Sequence, residues 1–122
     1  MMHCYVTAYG PPLLVEGSAI VLKNMEWFSA VRMVDPEQTP LEELSQFSND
    51  LLIFFPEGSA QDMVIRFHHH IIVSDYPQNE AALVVLSPFD SLKTFRVGVL
   101  SALSGQYYRS PRIRQSTLKR AA

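Results

Sequence analysis

QDMVIRFHHHIIVSDYPQNEAALVVLSPFDSLKTFRVGVLSALSG, residues 61–105, carries the clearest local signals in the chain. It reads as a long strand, a turn, a short apolar strand and an amphipathic helix. Over Met63 to Val73 the odd positions (Met63, Ile65, Phe67, His69, Ile71, Val73) face a core by period two. The even ones (Val64, Arg66, His68, His70, Ile72) form a partly wet face. Ala81 to Leu86 is a continuous apolar run between turn signals, the pattern of a central strand. Ser87 is an expected N-cap, with Pro88 at the first helical position and Asp90 three residues on. Phe89, Leu92, Phe95, Val99 and Leu103 then follow one helical face, and Gly105 suits the turn that ends it. Gly98 lies within that helix, at a cost of about 1 kcal/mol against Ala, for which the close approach of a neighbouring backbone would be a reason, though the sequence shows none.

Upstream, His3 to Tyr9 alternates as a half-buried strand, broken by Gly10-Pro11-Pro12. Leu13 to Leu22 reads as a second strand with a bulge at Glu16-Gly17-Ser18. Trp27, Phe28, Val31 and Val34 predict a helix from Met25 that Asp35-Pro36 ends. Thr39-Pro40-Leu41-Glu42 opens a second helix, with Leu41, Leu44 and Phe47 inward. Leu51 to Phe55 is a short buried strand, and Pro56-Glu57-Gly58-Ser59 a turn. The order is β-β-α-α-β-β-β-α. It predicts a single α+β domain, a mainly antiparallel five-stranded sheet with helices packed on one face.

At 122 residues the chain is one domain, large enough to fold without a disulfide or metal. Cys4 is the single cysteine, which suits a reducing compartment. No segment has the pattern of a signal peptide or the length of a membrane span, so a cytoplasmic protein is expected, with no membrane partner. The net charge of −2 conceals an asymmetry. Arg109, Arg112, Arg114, Lys119 and Arg120 are half of the ten basic residues, and all twelve acids precede them. Seven acids fall between Asp35 and Asp62, with no Lys or Arg among them. The expected organisation is a compact domain over residues 1–108 and a basic C-terminal tail over 109–122.

Chemistry is sparsely marked. His68 and His70 would share a strand face with Arg66, and that trio is the candidate ligand-binding surface. Two imidazoles two residues apart can chelate a metal, but the fixed cation of Arg66 opposes one, and no HExxH or CxxC spacing occurs. No metal and no cofactor is therefore expected. His3 and Cys4 point to opposite faces of a strand and cannot form a thiolate pair. Glu42-Glu43 is a solvated pair, and GxSxG, GxGxxG and Walker patterns are absent, so no catalytic residue is assigned. The tail adds Tyr107 and Tyr108 to its five cations, and these seven residues are the candidate partner or subunit contacts. No motif is specific enough to name a family. The expected function is a small adaptor-, regulator- or immunity-type protein, acting through protein contacts and self-association as a homo-oligomer. One alternative is a small-ligand or enzymatic module using Arg66, His68 and His70. A third is nucleic-acid binding through the tail, less favoured because the acidic body repels a phosphate backbone.

Overall fold

The computed structural model describes residues 4–40, 43, 51–55, 67–74 and 81–115. Strands β1 (Cys4–Tyr9), β2 (Phe28–Val34), β3 (Leu51–Phe54), β4 (His70–Val73), β5 (Val84–Leu86) and β6 (Tyr108–Arg109) form one sheet. Its order is β2-β1-β3-β4-β5-β6, and every pairing is parallel. Helix α1 (Pro12–Lys23) joins β1 to β2, and α2 (Leu92–Leu103) joins β5 to β6. The α+β reading with a mainly antiparallel five-stranded sheet is therefore incorrect: the fold is α/β. The physical reason lies in burial. β3, β4 and β5 are buried at every position, which requires cover on both faces. Parallel sheets are built that way and carry continuous apolar strands.

Two elements exchange type relative to the sequence expectation. Leu13 to Leu22 is helical because Val15, Ala19 and Leu22 lie four and three residues apart and are the buried positions of α1. Pro12 sits at its first position, where a missing N–H costs nothing. Glu16-Gly17-Ser18 is thus helix interior and no bulge. Conversely, Phe28 to Val34 is an extended edge strand paired to β1 along its length. The helix expected from Leu41 and the turn at Pro56 fall outside the described residues. So does the Met63 to Arg66 part of the long strand; Phe67 to His69 is a bend, and β4 begins only at His70.

Helix α2 starts one turn later than Ser87 implies. Residues 87–90 make a turn in which the Ser87 N–H donates to Asp90 Oδ2 at 2.7 Å and the Phe89 N–H to Ser87 Oγ at 3.1 Å. The cap is Ser91, whose Oγ accepts from the Thr94 N–H at 3.2 Å. At the other end Gln106 N–H reaches Ser101 O at 2.8 Å and Gly105 N–H reaches Ala102 O at 3.1 Å. These are the two bonds of a Schellman motif, with Gly105 at φ 68°. What approaches Gly98 is a side chain and no backbone: a Cβ there would lie 2.7 Å from Leu86 Cδ1, so α2 rests directly on β5.

The core has two sides. Val6, Ala8, Ile53, Ile71, Val73, Val84 and Leu86 face α1 and α2 through Val15, Leu22, Val99 and Ala102. Tyr9, Leu52, Phe54, Ile72 and Val85 face the other way and pack with Phe67, Ala82 and Ile113. Each fully buried aliphatic side chain contributes about 1.5–3 kcal/mol. Both helices cover the same face, yet β1–α1–β2 and β5–α2–β6 step in opposite directions along the sheet. The two crossovers consequently have opposite hands. With the usual right hand for the first, the last is left-handed, a rare connection. The chain continues into helical residues 111–115, which bring buried Ile113 onto the second face. Among the described residues no helix is long and apolar enough to cross a membrane.

Candidate functional site at the strand carboxyl ends

In an open parallel sheet, ligands bind beyond the carboxyl ends of the strands, where the strand order reverses. Here the reversal lies between β1 and β3. Apolar and hydroxyl side chains line that end. After β1 come Tyr9 and Gly10; β3 ends in Phe54-Phe55, β4 in Val73-Ser74 and β5 in Leu86-Ser87. The Tyr9 and Phe54 rings stack with centroids 5.8 Å apart, and the Tyr9 hydroxyl donates to Thr39 O at 3.1 Å. The Phe55 N–H donates to Tyr9 O at 2.9 Å. Gly10, at φ 156°, lets β1 turn into α1 against Phe55: a Cβ there would meet Phe55 Cβ at 2.6 Å.

The polar groups nearby are already engaged. Ser74 is buried, with its N–H on Leu86 O at 2.8 Å. Ser87 and Asp90 bind each other's turn, as described, and Asp35 Oδ1, after β2, accepts from the Glu37 N–H at 2.9 Å. Among the described residues no three of His, Cys, Asp and Glu converge as a metal site. Beside this end, α1 and α2 enclose a groove of about 320 Å³, lined by Leu13, Leu14, Val21, Phe55, Leu92 and Phe95 with Ser18, Ser87 and Ser91. Leu13 and Leu92, which line it, are well exposed. The arrangement can hold an apolar surface; its one described carboxylate, Asp90, already accepts the Ser87 N–H at 2.7 Å.

The residues singled out in the sequence lie elsewhere. His70 is 3 % exposed, on the second face of the sheet. Its Nδ1–H donates to Phe67 O at 2.9 Å, and its Nε2 accepts from the Leu83 N–H at 2.8 Å. Burial, the largest cause, holds its pKa below the usual histidine value, and the charge of Arg109 and neighbouring His69 act in the same direction against the Phe67 bond. His68 is exposed on the bend before β4, His69 Nδ1 lies 2.7 Å from Ala102 O, and Arg66 is outside the described residues. The structure thus gives His68 and His70 no common face. Of the tail set, Tyr108 and Arg109 form β6, Tyr107 is exposed, and Arg112 and Arg114 are exposed on residues 111–115. Lys119 and Arg120 are outside the described residues. The Arg109 guanidinium sits over the Tyr107 ring at 3.9 Å and donates to three backbone carbonyls; burial lowers its pKa. No sequence signal marks the strand-end groove, because its lining is ordinary apolar residues.

No protein-family model matches this sequence, and no curated protein matches it. Solved structures do share its fold. The response regulator ChrA of a heme-sensing two-component system superposes with a TM-score of 0.69 at 10% identity, over 98% of this chain and 66% of that one. The Salmonella typhimurium response regulator RcsB superposes with a TM-score of 0.74 at 14% identity, over 100% and 69%. The isolated REC domain of RcsB from Salmonella enterica serovar Typhimurium, determined with the phosphomimetic BeF3−, gives 0.62 at 13% identity, over 94% and 97%. The chain therefore spans about two thirds of the whole regulators and nearly all of the isolated domain. Its fold is the flavodoxin-like receiver fold, with β6 as an added edge strand. These superpositions overturn the reading as an adaptor- or immunity-type protein, together with its ligand-module and nucleic-acid alternatives, in favour of a receiver-type architecture.

Proposed function

We propose that this chain is a receiver-like signalling domain that does not accept a phosphoryl group at its strand ends. The fold supports the first half of that reading. One observation carries the second: Tyr9-Gly10, Phe54-Phe55, Val73-Ser74 and Leu86-Ser87 stand at the carboxyl ends of β1, β3, β4 and β5. An acyl phosphate needs a carboxylate nucleophile, and a phosphoryl group needs cations or a metal to neutralise it. The described ends of β1, β3 and β4 offer neither, and Asp90, beyond β5, already accepts the Ser87 N–H. The α1–α2 groove, apolar and open, is then the surface through which such a domain meets its regulators, which are proteins and include a second copy of itself. Exposed Arg112 and Arg114 extend the candidate contact surface, and the reducing cytoplasm is the setting that fits a lone cysteine.

The test is a titration of the full chain with BeF3− and Mg2+, followed by amide NMR, beside intact-mass analysis after exposure to a small acyl phosphate. The expected result is no shift at Gly10, Phe55, Ser74 or Ser87 and no phosphoryl adduct. Saturable shifts at those residues, or an adduct on any carboxylate, would replace this reading with that of a phosphoryl-accepting receiver.

A further inference from the structure

We infer that His70 and Arg109 form a proton-sensitive clamp that fastens β6, and the helical residues 111–115 after it, to the sheet edge. The clamp closes on one peptide segment, Ala82-Leu83, just before β5. The Leu83 N–H donates to His70 Nε2 at 2.8 Å. Its carbonyl accepts from the Tyr108 N–H at 2.9 Å and from Arg109 Nη1 at 3.2 Å. The Ala82 carbonyl accepts from Arg109 Nη2 at 2.9 Å. Leu83 is thus held on one side by an imidazole from β4 and on the other by β6. The Tyr108 bond is one of those that tie the two-residue β6 to β5, beside the Ser110 N–H on Val85 O at 3.2 Å.

Only a neutral imidazole can do this. Nδ1 must carry the proton it gives to Phe67 O, and Nε2 must keep its lone pair for Leu83. A second proton would place N–H against N–H at 2.8 Å. The backbone of Leu83 would have to move, and its carbonyl would leave Tyr108 and Arg109 with it. The surroundings do not soften that outcome. β3 and β5 present only apolar side chains, β6 presents the Arg109 cation, and the preceding bend presents His69. No described carboxylate faces the ring. Burial of the ring, foremost, keeps its proton affinity low while the clamp is closed. An opened clamp exposes the ring and restores the ordinary value of 6.5. Acid therefore favours the open form: with one proton linked, its population rises by up to about tenfold per pH unit below that value.

Hydrogen exchange on the full chain, read amide by amide between about pH 7.5 and 5 and corrected for intrinsic rates, tests the clamp. Protection at Leu83, Tyr108 and Ser110 is expected to fall by up to about tenfold per unit below pH 6.5, ahead of Val6 and Ile53 in the central strands. In His70→Gln, whose amide can replace both bonds but cannot titrate there, the slope should vanish. Uniform loss across the sheet, or an unchanged slope in His70→Gln, overturns the proposal. Should that variant fail to fold, nitrogen NMR of the wild-type ring decides. A bare Nε2 that takes its proton well below the ordinary histidine range supports the clamp, and protonation within that range overturns it.

Discussion

Replacing Gly10 with Ala should be among the most damaging single-methyl changes available to this chain. The new Cβ would lie 2.6 Å from Phe55 Cβ and 3.1 Å from Phe55 O, against a comfortable carbon separation of about 3.5–4 Å. It would also hold a side chain at φ 156°, in a region that L-residues rarely adopt. Relief by simple displacement is blocked, because Phe55 N–H is bonded to Tyr9 O and Phe55 is buried at the end of β3. Overpacking costs about 1–3 kcal/mol and a strained backbone a similar amount, so the loss is about 2–5 kcal/mol. A domain this size has about 5–15 kcal/mol to lose. With an m-value of about 1–3 kcal/mol/M, the urea midpoint should fall by at least about 0.7 M. Phe55→Ala should not rescue the variant, since alanine keeps the Cβ and carbonyl that make the two shortest contacts. A midpoint shift worth under about 0.5 kcal/mol, the scale of neutral surface changes, would refute the reasoning. So would a Gly10→Ala/Phe55→Ala double variant as stable as Phe55→Ala alone.

Global stability should fall as the solution becomes more acidic than pH 6.5, because unfolded His70 binds a proton there and the folded residue, its pKa lowered, does not. The slope from this one group is at most about 1.4 kcal/mol per pH unit and flattens below the folded pKa; urea titrations at several pH values in wild type and His70→Gln isolate it. Ser91→Ala should cost about 1 kcal/mol by removing the cap of α2, read as a lower thermal midpoint. Ile113→Ala should cost about 2–5 kcal/mol, a core-sized loss from a residue of the basic segment, because Ile113 is 7 % exposed against Ile72 and Val85.

The strands of this sheet were legible where apolar runs are short and bounded: Leu51 to Phe54 and Val84 to Leu86 both lie inside expected strands. What those runs also say is parallel pairing, since a strand apolar at every position must be covered twice. That implication is lost once α1 is read as a strand and β2 as a helix, for the β-α-β unit becomes β-β-α. Both misreadings have physical causes. α1 lacks a polar face: Leu13 and Ile20 are 81 % and 65 % exposed, so the helical stripe of Val15, Ala19 and Leu22 is masked by apolar neighbours. β2 is an edge strand whose half-buried residues include Phe28, Val31 and Val34, which also fit a helical spacing. The His68-His69-His70 run misled for a related reason. A wet face was assumed for the even positions, whereas parallel packing buries His70 and turns it into a backbone ligand.

The site was illegible because its chemistry is packing. A phosphoryl-accepting crevice must keep charged groups together at the strand ends, and it holds them there only with water, metal or counter-charge. This chain puts Phe55 against Gly10, stacks Tyr9 on Phe54, and closes Ser87 and Asp90 on one another. The two aromatic contacts fill the ends of β1 and β3 with apolar atoms, and the Ser87 N–H engages the one carboxylate at the end of β5. A single Phe55→Asp change would therefore bury an unpaired charge against Gly10 and the Tyr9 carbonyl, with no described cation to neutralise it. The dry end and the phosphoryl site are alternative uses of one position in the fold. On the proposed reading, what regulates this chain binds its helices and its edge, where its exposed apolar residues and its histidine-held strand lie.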